Sequence, residues 1–221
     1  MSVKDTTKVK IISDGNEYEI EKTKYDSLEK LIVYAKSNMK SPTMIHFISH
    51  IADAEKFRKT KGDLIRLYQR ALKRQFKKAN VTTQQCPDTL LAYSIEFKYT
   101  TQKHIDGKED AYRRGNTTWK KTEEELPFLH LHCYVIADCN KTHPRSFLKA
   151  SVEALNELKG LRASRYIPRK QKDVSDKKQY YHNLNRELDD GFNRILYIGK
   201  TEQKCPDCLL YTSPSPRDRT R

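Results

Sequence analysis

Two histidines separated by one residue carry the clearest chemical signal in the sequence. His130 and His132 lie in residues 128–136, where alternating side chains predict a β-strand. Residues two apart on a strand share a face, so both imidazoles can bind one metal ion. Glu96, in the alternating stretch 91–99, shares that face if the two strands pair. Two imidazoles and a carboxylate suit a divalent metal that contacts a phosphate oxygen, although paired histidines on a half-buried strand are also common as structural residues.

A tyrosine and a lysine three residues apart form a second signal. Tyr197 and Lys200 lie near the end of a helix predicted from Glu187 to about residue 200, so they share one helical face. Lys204 continues that face if the helix extends. A tyrosine hydroxyl can attack phosphorus covalently, and a nearby lysine can orient the phosphate. An amphipathic helix also carries Tyr beside Lys for packing alone, so the spacing leaves both interpretations open.

The secondary-structure elements that must position these residues are a mixture of strands and helices. They are strands at 91–99 and 128–136, a helix from Pro144 to Gly160, a short strand at 164–168, and the helix from Glu187. A long polar connection joins the first two strands. This order predicts an α+β fold, in which an antiparallel β-sheet carries helices on one face.

Residues 1–80 are predicted to be a mostly helical N-terminal region, followed by an α+β domain at 81–207. Apolar residues recur at spacings of three and four over 25–39 and again over 63–78. The other face of the second helix is basic, with Arg66, Arg70, Lys73, Arg74, Lys77 and Lys78. A solvated face and a phosphate-contacting face are equally consistent with this pattern.

The polar connection, residues 100–127, interleaves basic and aromatic side chains. Bases of single-stranded nucleic acid stack on aromatic rings beside cations, so this segment is a candidate DNA contact. A charged hairpin arm without a ligand is the alternative, and Glu123–Glu125 weaken the basic signal. The predicted DNA-binding residues are Lys98, Arg113, Arg114, Trp119, Lys120 and Lys204.

Composition narrows the class of protein. The 221 residues carry 43 Lys and Arg against 29 Asp and Glu, a formal charge of +14 that favours a polyanionic partner. The hydrophobic fraction of 36% and the 13 tyrosines suffice for a folded core. No apolar run approaches the roughly 20 residues of a membrane-spanning helix, and the first residues lack a signal-peptide core. We therefore expect neither a membrane nor a secreted protein.

The C-terminal tail resembles a translated sequencing adapter. Residues 208–218 match a translated reading frame of a common transposon-based sequencing adapter, so we expect 208–221 to be adapter-derived and the native chain to be truncated near residue 207. Removing the three arginines and one aspartate of this tail lowers the charge from +14 to +12. It also removes the apparent Cys205–Cys208 metal motif. The remaining cysteines show no metal-ligand spacing, which favours free thiols in a reducing cytoplasm.

The order of the two signals resembles the HUH superfamily of nicking-and-joining endonucleases. Residues 192–204, FNRILYIGKTEQK, are similar to the closing motif of replication-associated proteins of filamentous phages (inovirus type) and their prophage relatives. Residues 129–136, LHLHCYVI, are similar to the histidine strand of that family. The resemblance covers about residues 90–204 and implies a Rep-like fold with a ferredoxin-like core.

The resemblance also implies residue roles. His130 and His132, with Glu96 as a third ligand, would bind Mg²⁺ or Mn²⁺. Tyr197 would attack the scissile phosphate, leaving a 5′-phosphotyrosyl link and a free 3′-hydroxyl, while Lys200 would orient the phosphate. Only one tyrosine occupies the motif, whereas some filamentous-phage initiators use a spaced pair; Tyr180 and Tyr181 lie outside it.

The expected function is therefore rolling-circle initiation, in which single-stranded origin DNA is nicked and rejoined in a bacterial cytoplasm. The host replication machinery would be a further partner. A non-catalytic DNA-binding regulator of replication or transcription is the alternative, and RNA processing by related chemistry is a third. Convergence of Glu96, His130 and His132 on one point, with Tyr197 facing it, favours the enzyme. Burial of the histidines among apolar groups, far from Tyr197, favours the regulator.

Overall fold

The computed structural model describes residues 7–13, 16–78, 85–101, 112–114, 117–119, 125–165, 181–201 and 211–212. The strands are β1 (Lys8–Ser13), β2 (Asn16–Glu21), β3 (Pro42–Ile51), β4 (Thr89–Thr101), β5 (Tyr112–Arg114), β6 (Thr117–Trp119), β7 (Glu125–Asp138), β8 (Leu161–Arg165), β9 (His182–Asn183) and β10 (Tyr211–Thr212). The helices are α1 (Lys22–Asn38), α2 (Ala54–Thr60), α3 (Leu64–Lys78), α4 (Pro144–Asn156) and α5 (Leu188–Leu196). The fold is α+β, with an antiparallel sheet and packed helices, as the sequence predicts.

The main sheet is built around β7. Its strand order is β10-β4-β7-β3-β8, all neighbours are antiparallel, and β9 pairs with the other end of β3. β4 and β7 pair along almost their whole length, from Thr89 opposite Ala137 to Thr101 opposite Glu125. The strands predicted at 91–99 and 128–136 are therefore confirmed, and so is their pairing.

Residues 1–80, predicted to be mostly helical, also contain three strands. β3 lies inside the main sheet between β7 and β8, so strands from both sides of the predicted boundary at residue 80 share one sheet. Every β3 residue is buried or half-buried. Its sequence mixes apolar residues with Thr43, His46, Ser49 and His50, so it shows no clear strand periodicity. β1 and β2 form a hairpin in which Ser13 pairs with Asn16, and the intervening Asp-Gly dipeptide is typical of such two-residue turns. Within the same region, α1 and α3 match the predicted helices closely.

Helices pack on both faces of the sheet, whereas the sequence predicted one. The first face packs against α2, α3 and α4 and includes Phe47, Tyr93 and Leu131. The second packs against α1, α5 and the β1–β2 hairpin and includes Met44 and Tyr134. Helices on the second face are not predicted from sequence because this face is apolar along only part of each strand. It is apolar at Leu90, Ala92, Tyr134 and Ile136, and becomes polar at Ser94, Glu96, His130 and His132.

The elements after β7 follow the sequence pattern closely. Pro144 occupies the first turn of α4, and the His143 ring accepts a hydrogen bond from the Arg145 backbone N–H. Gly160 adopts a positive φ of 85° in the turn that leads into β8, where a side chain would meet the backbone of Asp53. β8 begins three residues before the predicted strand at 164–168, and residues 166–168 lie outside the described ranges.

The last helix is shorter than predicted. α5 ends at Leu196, and a 3₁₀ turn, Tyr197–Gly199, follows it. β10, within the adapter-like tail, adds two residues to the edge of β4 by backbone pairing with Ala92 and Tyr93. Within the described ranges, no helix combines the length and the apolar composition that crossing a membrane requires.

Candidate metal centre and tyrosine

The pairing of β4 with β7 brings three possible metal ligands together. Glu96 lies directly opposite His130 in the register, and His132 is two residues further along the same face. The Glu96 Oε2 atom lies 3.6 Å from His130 Nε2 and 3.4 Å from His132 Nε2. One ligand atom from each residue lies within 4.8 Å of the others. The three side chains converge on one point, as the sequence predicts, and form a possible metal-binding site.

The spacing of the ligand atoms suits a single divalent ion. Bonds of about 2.1 Å at angles of 90–110° place two ligand atoms about 3.0–3.5 Å apart, close to the separations observed around Glu96. The cluster is also largely shielded from water, because Glu96 is 1% exposed and His132 5% exposed. A buried carboxylate requires a compensating positive charge. The Lys200 ammonium, 3.2 Å from Glu96 Oε2, supplies one such charge, and a divalent cation would add to it.

Lys200 and Tyr197 reach this cluster from the end of α5. The Lys200 Nζ atom donates to Tyr197 Oη at 2.6 Å and lies 3.2 Å from Glu96 Oε2. The ring of Tyr197 meets the ring of His132 edge to face, with centroids 5.3 Å apart. The predicted shared face is produced by the 3₁₀ turn rather than by an α-helix, because side chains three residues apart eclipse in 3₁₀ geometry.

Gly199 allows this turn to dock against the β1–β2 hairpin. Lys200 forms an isolated bridge with Ile20, and the Thr201 N–H donates to the Glu19 carbonyl at 2.9 Å. A Cβ on Gly199 would overlap the Ile20 side chain. This glycine therefore permits a close approach between two segments, and its place in the motif follows from packing.

Tyr18, on β2, completes the surroundings of Lys200. Its ring meets the ring of Tyr197 edge to face at 5.6 Å. The Lys200 ammonium lies 4.0 Å from the Tyr197 ring centroid and 5.5 Å from that of Tyr18. Both rings can stabilise the buried ammonium by cation–π attraction. Tyr18 is not among the predicted site residues, because no strand is predicted in this region, although Tyr18 and Ile20 alternate with glutamates.

His46, on β3, contacts the metal cluster from a third strand. Its Nε2 atom lies 2.9 Å from His132 Nδ1, and its ring stacks on Tyr134 with centroids 4.1 Å apart. Burial is the main cause that lowers the pKa of His46 well below its ordinary value, so its ring is neutral near pH 7. A neutral His46 can accept the Nδ1–H of His132, which leaves His132 Nε2 with a lone pair toward Glu96 and a metal. The sequence pattern of residues 42–51 does not predict β3, so it gives no indication that His46 reaches the site.

The side chains of the predicted DNA-binding residues are outside the described part of the structure. Lys98 is on β4, Arg113 and Arg114 are on β5, and Trp119 is on β6, but their side chains are outside the described part of the structure, as are Lys120 and Lys204. β5 and β6 do form a small hairpin within the polar connection, with Tyr112 opposite Trp119. The DNA contacts therefore remain predictions.

Tyr181 does not add a second nucleophile to the described site. Tyr181 packs against the apolar core on the first face of the sheet, opposite the face that carries Glu96. Tyr180 lies outside the described residues. Among the described residues, Tyr197 and Tyr18 are the tyrosines whose rings contact Lys200.

Comparison with known proteins gives no relative from which to transfer a function. No family model matches this chain, and no curated protein is significantly similar to it.

Proposed function

We propose that this protein is a metal-dependent endonuclease that nicks and rejoins single-stranded DNA through Tyr197. The supporting observation is a series of contacts that leads from Tyr197 through Lys200 to Glu96. Tyr197 Oη, Lys200 Nζ and Glu96 Oε2 are linked by successive distances of 2.6 and 3.2 Å. Tyr197 is also partly exposed, which a nucleophile requires if it is to reach a DNA backbone.

The reaction is a reversible transfer of a phosphodiester to tyrosine. The Tyr197 hydroxyl oxygen attacks phosphorus and loses its proton, and the bond from phosphorus to the 3′-oxygen of the preceding nucleotide breaks. That 3′-oxygen gains a proton, so a free 3′-hydroxyl and a 5′-phosphotyrosyl link result. Rejoining is the reverse attack by a 3′-hydroxyl. Lys200 stabilises negative charge on the phenol oxygen and on the phosphate as the reaction proceeds.

Glu96, His130 and His132 would hold the metal ion, for which Mn²⁺ or Mg²⁺ is proposed. Such an ion supplies Lewis-acid stabilisation of charge on a phosphate oxygen. His130 is the most exposed of the three ligands, with 15% of its side chain accessible. This exposure supports an approach of the scissile phosphate from the His130 side.

The products suit the start of rolling-circle replication. A free 3′-hydroxyl can prime a polymerase, and the phosphotyrosyl link preserves the phosphodiester bond energy needed for rejoining. Together with the resemblance to filamentous-phage replication proteins, this chemistry supports an initiator of a small mobile element. It would act on single-stranded origin DNA with the host replication machinery, in a bacterial cytoplasm.

Adduct formation tests the proposal. The full chain is incubated with Mn²⁺ and a random-sequence pool of single-stranded oligonucleotides labelled at the 3′ end, then denatured and separated by electrophoresis. We expect a labelled protein band that EDTA abolishes and that Tyr197→Phe lacks. Tyr181→Phe, a matched loss of one hydroxyl on the other sheet face, should retain the band.

Three outcomes would redirect the proposal. An undiminished adduct with Tyr197→Phe would exclude this residue as the nucleophile. Salt-sensitive DNA binding without any adduct would favour the non-catalytic regulator. An adduct with RNA oligonucleotides but not with DNA would favour RNA processing.

A further inference from the structure

The outward face of α3 carries positive charge at every exposed position. The exposed residues of this helix are Arg66, Arg70, Lys73, Arg74, Lys77 and Lys78, here called the α3 basic face. The buried side of the helix, with Tyr68 and Leu72, packs into the apolar core on the first face of the sheet. The α3 basic face therefore lies on the opposite side of the sheet from Glu96 and the histidines.

Acidic side chains neutralise only part of this face. Asp63 pairs with Arg66 at 2.7 Å, and Glu157, directly after α4, pairs with both Arg74 and Lys78. The middle of the α3 basic face is not neutralised in this way. Within the described part of the chain, no ion pair is formed by Arg70, Lys73 or Lys77.

The spacing of these cations is unfavourable for a helix without a partner. Arg70 and Arg74, like Lys73 and Lys77, are four residues apart, and like charges at this spacing repel. Solvated helix faces ordinarily mix charges of both signs, whereas this face has one sign over three turns. A polyanion lying along the helix would relieve the repulsion.

We propose that the α3 basic face binds the phosphate backbone of double-stranded DNA. From residue 66 to residue 78 the helix rises about 18 Å, and a duplex carries about one phosphate charge per 1.7 Å of its axis. The cations can therefore meet a row of phosphates. The exposed positions of α3 include no aromatic residue, whereas single-strand surfaces combine cations with rings on which bases stack.

The face is unsuited to a lipid surface. Membrane-binding amphipathic helices insert an apolar side between lipids, but the apolar side of α3 is buried in the protein core. Duplex binding here goes beyond the proposed nicking reaction, since it would hold the double-stranded flank of a target while single-stranded DNA occupies the metal centre.

A charge-matched pair of variants tests this proposal. The first changes Arg70, Lys73 and Lys77 to Gln, a good helix former that removes three charges. The control changes Lys30, Lys36 and Lys40 to Gln, which removes three exposed charges on and beside α1. Circular dichroism and thermal unfolding confirm that both variants fold. Fluorescence anisotropy then measures binding to a 20-base-pair random-sequence duplex and to a single strand of equal length, as a function of salt concentration.

The expected result is specific to the first variant. Its slope of log affinity against log salt for the duplex should fall by about 0.9 for each lost phosphate contact, hence by up to about 2.7. The control should keep the parent slope, and single-strand binding should change less than duplex binding. Equal losses in the two variants, an unchanged slope in the first, or equal losses for duplex and single strand would overturn the proposal. Binding is measured in EDTA, so the result does not depend on whether Tyr197 cuts DNA.

Discussion

Replacing His46 with alanine should weaken metal binding although His46 is not itself a ligand. His46 Nε2 lies 2.9 Å from His132 Nδ1, and the flat stack on Tyr134 fixes the plane of its ring. Metal binding at His132 Nε2 requires the proton of that ring to sit on Nδ1. His46 accepts this proton, so it selects the tautomer and the orientation that a metal needs.

The size of the effect follows from this one contact. Without His46 the metal-bound state contains a buried N–H donor that lacks its acceptor, which costs about 1–3 kcal/mol. The metal-free state avoids most of this cost because the ring of His132 can change its tautomer. Since about 1.4 kcal/mol corresponds to a tenfold change in affinity, the loss should be roughly 10- to 100-fold, as is usual for residues that support a metal ligand.

Calorimetric titration with Mn²⁺ in the absence of DNA measures this loss. His46→Gln places an amide oxygen near the former Nε2 position and should recover most of the affinity. His143→Ala, a histidine replacement at the start of α4, should bind Mn²⁺ like the parent. Parent affinity in His46→Ala, or no recovery in a folded His46→Gln, would refute the reasoning. If His132→Ala also binds like the parent, the metal site itself is wrongly assigned.

Three further predictions concern stability. Gly199→Ala should lower the free energy of unfolding, measured in urea, by about 1–3 kcal/mol, because the new Cβ overlaps Ile20. The double variant with Ile20→Ala should lose less stability than the sum of the two single variants. Strict additivity would contradict the overlap. Tyr68→Phe should lower the free energy of unfolding by about 1–3 kcal/mol, because the buried Ser151 hydroxyl loses the Tyr68 oxygen that lies 2.9 Å away. Adding Ser151→Ala should recover part of this stability. No recovery would show that this hydrogen bond is unimportant. Burial raises the pKa of Cys139 from 9.0 to about 11, so the native state retains a proton that the unfolded state loses, and stability should fall as pH rises from 9 to 11. Thermal unfolding against pH should show a shallower fall for Cys139→Ala, and an equally steep fall would contradict this cause.

The ligand cluster was predictable from sequence because it depends on two long strands with regular alternation. Alternation put His130 and His132 on one face, and the pairing of β4 with β7 put Glu96 directly opposite His130. The contact of Tyr197 with Lys200 was also expected, although from the wrong local geometry. Side chains three residues apart meet in both an α-helix and a 3₁₀-helix, so the wrong helix type did not change which two residues were predicted to be in contact.

Tyr18 and His46 were not predictable in the same way. Both lie on strands of the first 80 residues, where the mixed apolar and polar residues of β3 give no clear period and the short hairpin contains few apolar residues. Each reaches the site through tertiary packing between sequence-distant segments. Local patterns do not encode such contacts, although the Asp-Gly dipeptide between β1 and β2 was an available signal for the hairpin.

The central claim is that Tyr197 forms a covalent bond to DNA at the metal centre. Its most direct test is mass spectrometry of the protein–DNA adduct formed with Mn²⁺, after digestion with nuclease and protease. We expect a nucleotide linked through its 5′-phosphate to the peptide that contains Tyr197, and no such product when EDTA is present. A nucleotide on any other residue, or an adduct that forms equally without a divalent metal, would contradict it.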